Sequence, residues 1–207
     1  MCFARNRHEG ALGSNPVVHI KTPTFTRGEI LLTVAVGLAL VAGVLGAVTA
    51  GITWASQDTS FSGFGFSSSV EINYQATGFE SCSGGCATVD YTDESLDGTD
   101  GIGLMRAAGP LLITGIVVTF VAMATLAASL FVRGAYLCLS GSIAATVGFV
   151  LLLLALIFLP VGLDQATQES DLELTWGAGL VLACIGTASA LAGAALGWTT
   201  RFGTDRS

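Results

Sequence analysis

The sequence predicts a membrane all-α four-helix bundle with a small extracellular antiparallel β-sheet in the first outer loop. Three observations carry that prediction. Hydrophobic residues make up 52% of the 207 positions and charged residues only 11%, against roughly 25% charged in a soluble domain. The apolar residues fall into four uninterrupted blocks. Between the first two blocks lies a polar stretch with the period-two alternation of strands.

The blocks run over about 30–53, 109–131, 135–159 and 176–199, each 23 to 25 residues without a charged side chain. A hydrocarbon layer of about 30 Å needs roughly 20 helical residues. Backbone polar groups in lipid must be satisfied within the segment, so each block is expected to be a helix. Pro110 is expected in a first helical turn, where its missing N–H costs nothing. Pro160 is expected to end the third helix. The first block is too long for the apolar region of a signal peptide.

These spans divide the chain into a cytoplasmic segment 1–29, a transmembrane domain 30–199 with outer loops 54–108 and 160–175, and a cytoplasmic tail 200–207. The orientation comes from the bases. Arg5, Arg7, Lys21, Arg27, Arg133, Arg201 and Arg206 all fall on one side, whereas the other side carries twelve acids and only Arg106. The basic side is expected to be cytoplasmic, which puts both termini inside a multi-pass protein of the cell membrane.

The first outer loop is too long for a simple connector. Val70 to Gln75 and Ala87 to Thr92 alternate apolar and polar residues, as half-buried antiparallel strands do. Cys82 and Cys86 flank Ser83-Gly84-Gly85, a composition suited to a tight hairpin that would bring the two cysteines face to face. A disulfide is the favoured reading, with two thiols or a metal pair as alternatives. Phe61, Phe64 and Phe66 form an apolar set suited to an outer contact surface. The run from Asp90 to Asp100 holds five acids but lacks the spacing of a calcium loop, so it reads as an acidic surface.

The spans contain no Asp, Glu, Lys, Arg or His and no Asn or Gln, which argues against ion-coupled transport. Small residues recur every fourth position: Ala42, Gly46 and Ala50, with Gly43, Ala47 and Gly51 beside them, and Gly186, Ala190 and Ala194 in the fourth block. Such stripes let helix backbones approach closely, here within one molecule in preference to between molecules. Cys138 and Cys184 are expected at different depths and so not to pair. The sequence has no GxSxG, P-loop or HExxH motif and no metal-spaced histidines, so no enzymatic activity, cofactor, metal or nucleic-acid partner is expected.

Several local features together resemble the claudin and peripheral-myelin-protein-22 superfamily. Trp54 follows the first span, the run CATVDYTDESL follows the paired cysteines, GLMRAAGPLLI carries Arg106 into the second span, and TWGAGL opens the fourth. The likeness covers residues 30–199, mainly as layout. Gly78-Phe79-Glu80 stands where the family carries Gly-Leu-Trp, and only three residues separate Cys82 from Cys86, fewer than in that family. The resemblance implies four helices, a disulfide-braced outer sheet, and a role in lateral assembly, adhesion or sealing. It also implies that Trp54 and Arg106 anchor the loop to the helices.

The expected function is therefore that of a non-enzymatic structural or adhesion protein. Its expected partners are the lipid bilayer and either itself or another membrane or cell-surface protein. The alternatives are an accessory subunit of a membrane complex and a channel component whose acidic outer loop favours cations.

Overall fold

The computed structural model describes residues 27–63, 66–132, 135–167 and 174–202. Four helices dominate it: α1 (Arg27–Ala50), α2 (Ile102–Phe131), α3 (Ala135–Thr167) and α4 (Ala178–Phe202). All four are long and apolar enough to cross a membrane. Their exposed faces carry large apolar side chains such as Val41, Val44, Val117, Val147 and Val181, the inverse of a water-facing bundle. The expected segments 1–29 and 200–207 lie outside the described residues, apart from Arg27 to Glu29 and the last turn of α4. The turn carrying Arg133 also lies outside them.

Hydroxyls within the helices are satisfied locally. Thr119 Oγ1 donates to the Gly115 carbonyl, Ser142 Oγ to Cys138 and Thr187 Oγ1 to Ala183. Each bond runs to the carbonyl one turn back, which hides a polar group without a partner helix. Between helices, Trp198 Nε1 donates to Thr146 Oγ1 at 3.1 Å.

The small-residue stripes serve contacts within the molecule. Ala42, Gly46, Gly186, Ala190 and Ala194 are all buried, whereas Ala47 and Gly51 are exposed. A methyl on Gly186 would sit 3.4 Å from Leu45 Cβ, and one on Gly193 would sit 3.3 Å from the Ala35 carbonyl oxygen. These residues set the close approach of α1 and α4. Cys138 is buried and Cys184 exposed, and the two are not cross-linked.

At one end of the bundle sits a five-stranded antiparallel sheet. Its strands are β1 (Ala55–Gly63), β2 (Phe66–Tyr74), β3 (Gly78–Cys82), β4 (Cys86–Asp90) and β5 (Thr175–Trp176). Their spatial order is β4-β3-β2-β1-β5. The first four make a meander between α1 and α2. The fifth comes from the connection between α3 and α4, where Ala55 pairs with Trp176 and Ser56 with Thr175. Both connections therefore lie at the same end of the bundle and share one sheet.

This architecture corrects three expected boundaries. Helix α2 begins at Ile102, so Pro110 is its ninth residue and not part of its first turn. Helix α3 passes through Pro160 and continues to Thr167. Trp176, expected to open the fourth span, belongs to β5. The cause lies in tertiary packing. Leu159 and Leu163 are fully buried, and the Gly162 backbone lies against Gly101 and Met105 at the start of α2. That burial outweighs the single hydrogen bond that each proline removes. Apolar runs thus marked lengths suited to lipid, while α2 and α3 extend beyond them at the sheet end and α1 and α4 stop short there.

Gly101 precedes α2 with φ of 78°, a left-handed conformation that side chains resist. A methyl there would also collide with the Gly162 carbonyl oxygen. The core is continuous from sheet to bundle: Trp54, Ala76 and Tyr91 pack in one cluster with Met105, Leu112, Leu152 and Leu163.

Candidate functional site

Besides the shared core, two side chains tie the sheet to the bundle by hydrogen bonds, Trp54 and Arg106, the two anchors that the resemblance implies. The first is Trp54. Helix α1 ends at Ala50, leaving carbonyls without an intrahelical donor. The Trp54 indole, fully buried, donates Nε1–H to the Thr49 carbonyl at 2.8 Å. Its own backbone N–H donates to Tyr74 at 2.7 Å, and its carbonyl accepts from Gly177 at 2.8 Å. One residue therefore caps α1, holds β2 and engages the segment that leads into α4.

The second point is Arg106. Its Nε donates to the Tyr91 carbonyl at 2.6 Å and its Nη2 to the Asp93 carbonyl at 2.9 Å. Nη2 also pairs with the Asp97 carboxylate at 2.7 Å. Arg106 thereby pairs with an acid of the run that follows β4. The planar guanidinium serves two carbonyls and a carboxylate at once, which a lysine ammonium does less well.

Four further side chains, not singled out from the sequence, contribute: Tyr91, Gln57, Tyr74 and Phe79. Tyr91 is fully buried and donates its hydroxyl to the Gln75 carbonyl at 3.0 Å. Burial raises its phenol pKa, with Tyr74 adding to the effect. Gln57 is buried and accepts from the Tyr74 hydroxyl at 3.0 Å. Tyr74, Phe79 and Tyr91 form a ladder with ring centroids 6.0 and 6.3 Å apart. The signal for Tyr91 was present in the alternation of Ala87 to Thr92. Gln57 carried none, because a glutamine in a polar strand looks solvated.

The acidic run is ordered into a short 3-10 turn, Glu94–Leu96. Asp93 accepts from the Ser95 N–H at 2.8 Å. That bond, the Ser95 hydroxyl and the Arg106 charge hold its carboxyl below the usual value.

At the far tip of the sheet, Cys82 pairs with Cys86 across the β3–β4 hairpin. The two are joined by a disulfide, with Cα atoms 4.1 Å apart. The Glu80 carboxylate lies close to both sulfurs, but sulfurs engaged in a disulfide offer no thiolate to a metal. Strand β4 is exposed along most of its length and forms one edge of the sheet. Phe61 and Phe66 lie in the paired β1 and β2 backbones, opposite Ser68 and Gly63. Phe64 and the side chains of the other two lie outside the described residues.

Beside Arg106, a cavity of about 180 Å³ opens between the end of β4 and α2. Asp90 and Thr92 line it from the segment at the end of β4, and Arg106, Pro110 and Ile113 line it along α2. No protein-family model and no curated protein matches this chain.

Proposed function

We propose that this chain is a non-enzymatic tetraspan protein of the cell membrane. Its disulfide-braced sheet would stand on the outer face and make contacts with a neighbouring molecule. The supporting observation is that both connections at one end of the bundle form a single sheet, fixed to the helices by Trp54 and Arg106. A platform held at two points keeps its shape when its edge is engaged, which lowers the ordering cost of a contact. The exposed edge strand β4 offers unpaired backbone groups to a partner strand. The claudin-like layout of residues 30–199 favours adhesion or lateral assembly by the same surface.

The bundle itself favours a structural role over transport. Its hydroxyls bond to their own helices, and glycines such as Gly148, Gly186 and Gly193 lie close against neighbouring helices. Neither feature supplies a polar path through one molecule. Cytoplasmic termini follow from the arginine and lysine distribution.

Purified full chain, labelled in two colours and reconstituted into separate vesicle populations, tests the contact role. Protein-dependent clustering of the two colours, reduced by Thr88→Glu on β4, is expected. Absence of clustering, with the same chain cross-linking to itself inside one membrane, would replace adhesion by lateral assembly. Absence of both would overturn self-contact.

A further inference from the structure

We propose that the cavity between β4 and α2 is a headgroup site for one amine-bearing zwitterionic phospholipid, of the phosphatidylethanolamine type. The lipid would come from the leaflet on the sheet side. This rests on the reading that the four helices cross a bilayer.

The cavity joins two chemistries along a single stretch of α2. Arg106 and Ile113 both line it, and seven residues of helix separate them by about 10 Å along the axis. The Arg106 end is polar: Arg106, which carries the Asp97 carboxylate at 2.7 Å, lines it together with Asp90 and Thr92. The Ile113 end is apolar and open, with Ile113 49% exposed.

Below it, Val117 and Val121 are 55% and 52% exposed. Residues four apart share a helix face, so Ile113, Val117 and Val121 make an apolar track leading away from the cavity. A water-soluble ligand would leave that track unused. A lipid occupies both parts, its headgroup in the cavity and an acyl chain along the track.

The charges select the headgroup. Arg106 uses Nε and Nη2 for its protein contacts, which leaves the donors of Nη1 for a phosphate. Asp90 uses Oδ1 to accept from the Thr92 N–H and hydroxyl, yet a carboxylate has about four acceptor sites. With Asp97 on Arg106 and Asp90 in the lining, the site carries one cation and two carboxylates, which favours a headgroup with an ammonium and disfavours an anionic lipid without one.

Pro110 adds a further acceptor. It stands four residues after Arg106 inside α2 and has no N–H, so the Arg106 carbonyl lacks its α-helical donor. A primary ammonium donates three hydrogen bonds and can serve both that carbonyl and Asp90. A quaternary choline donates none. The volume of about 180 Å³ equals roughly six liquid waters, room for a headgroup but not for acyl chains.

The test uses the full chain reconstituted in vesicles of equal parts phosphatidylethanolamine, phosphatidylcholine and phosphatidylglycerol. Flotation on a density gradient comes first, then native mass spectrometry of the protein released in mild detergent. One retained phosphatidylethanolamine, enriched over the other two lipids, is expected. Asp90→Asn keeps the Oδ1 acceptor for Thr92 and is expected to cut that enrichment by roughly two- to fivefold, the size of one partly exposed ion pair. Ile113→Trp, which fills the apolar end, is expected to abolish retention without changing helix content. Equal retention of the three lipids, or unchanged enrichment in Asp90→Asn, overturns the site while leaving the membrane reading intact. Failure of the wild-type chain to float overturns both.

Discussion

The Arg106 guanidinium holds the Tyr91 carbonyl oxygen at 2.6 Å, tying the second turn of α2 to the residue that follows β4. Tyr91 in turn reaches back to the Gln75 carbonyl in the turn between β2 and β3. A single side chain thus sets the position of half the sheet relative to the bundle.

Arg106→Ala should destabilise the chain by about 1.5–3 kcal/mol, the range for hydrogen bonds made by a charged group; the bond to Tyr91 is part-buried and the bond to Asp93 exposed. Asp97→Asn should cost under about 1 kcal/mol, because an exposed ion pair contributes little and Asp97 is 63% exposed. Thermal unfolding in detergent separates the two. Equal losses would show that the ion pair, not the carbonyl contacts, holds the junction.

Trp54→Phe keeps the ring but removes the Nε1 donor to Thr49. The Thr49 carbonyl then keeps only the long 3.5 Å bond from the Ile52 N–H, so the expected cost is about 1 kcal/mol, that of one hydrogen bond. Hydrogen exchange should rise at the last turn of α1 and along β1. Exchange unchanged at Thr49 to Ala55 would contradict the capping role.

Replacing Cys82 and Cys86 by Ser opens a loop so short that the loss should be about 2 kcal/mol by loop-closure entropy. Limited proteolysis is expected to cut between β3 and β4, with the four helices staying protected. Unchanged protease resistance of residues 78–90 would show that strand pairing alone holds the hairpin.

Gly101→Ala combines a left-handed φ with a collision against the Gly162 carbonyl, and should cost more than about 2 kcal/mol. Gly84→Ala has a φ of 73° but open space around it, and should cost about 1 kcal/mol. Comparison of the two melting temperatures isolates the contact between α2 and α3.

Acid should loosen the 3-10 turn in a defined window. The folded-state pKa of Asp93 is lowered from 3.8. Its contribution is therefore complete above the ordinary carboxylate value and is lost as pH falls through its own lower one. Amide exchange at Ser95 should accelerate only below about 3.8. Acceleration already near neutral pH would show that another group controls the turn.

Much of this organisation could be read from residue patterns because lipid imposes strict rules. Uncharged runs such as Ile30 to Thr53 have one structural solution in a bilayer, and the glycines between Cys82 and Cys86 dictate a hairpin. Trp54 and Arg106 stood out as an aromatic and a cation at span borders. Helix ends were less legible. Pro110 and Pro160 carry a local signal for termination, and only the packing of Leu159, Leu163 and Gly162 against α2 overrides it. Strand β5 was hidden for a similar reason: Thr175 and Trp176 pair only because β1 lies beside them. Gln57 gave no sign of burial, since its partner, the Tyr74 hydroxyl, is seventeen residues away.

Side-specific labelling of intact cells tests most directly the central claim that the sheet stands outside a four-span bundle whose termini lie inside. Lys21 is the only lysine in the chain, and Thr88 is exposed on β4. A membrane-impermeant amine reagent should leave Lys21 unmodified until the cells are lysed. An impermeant maleimide should label the Thr88→Cys variant at once, above the background of the unsubstituted chain. Labelling of Lys21 on sealed cells, or of the Thr88→Cys variant only after lysis, would contradict the account.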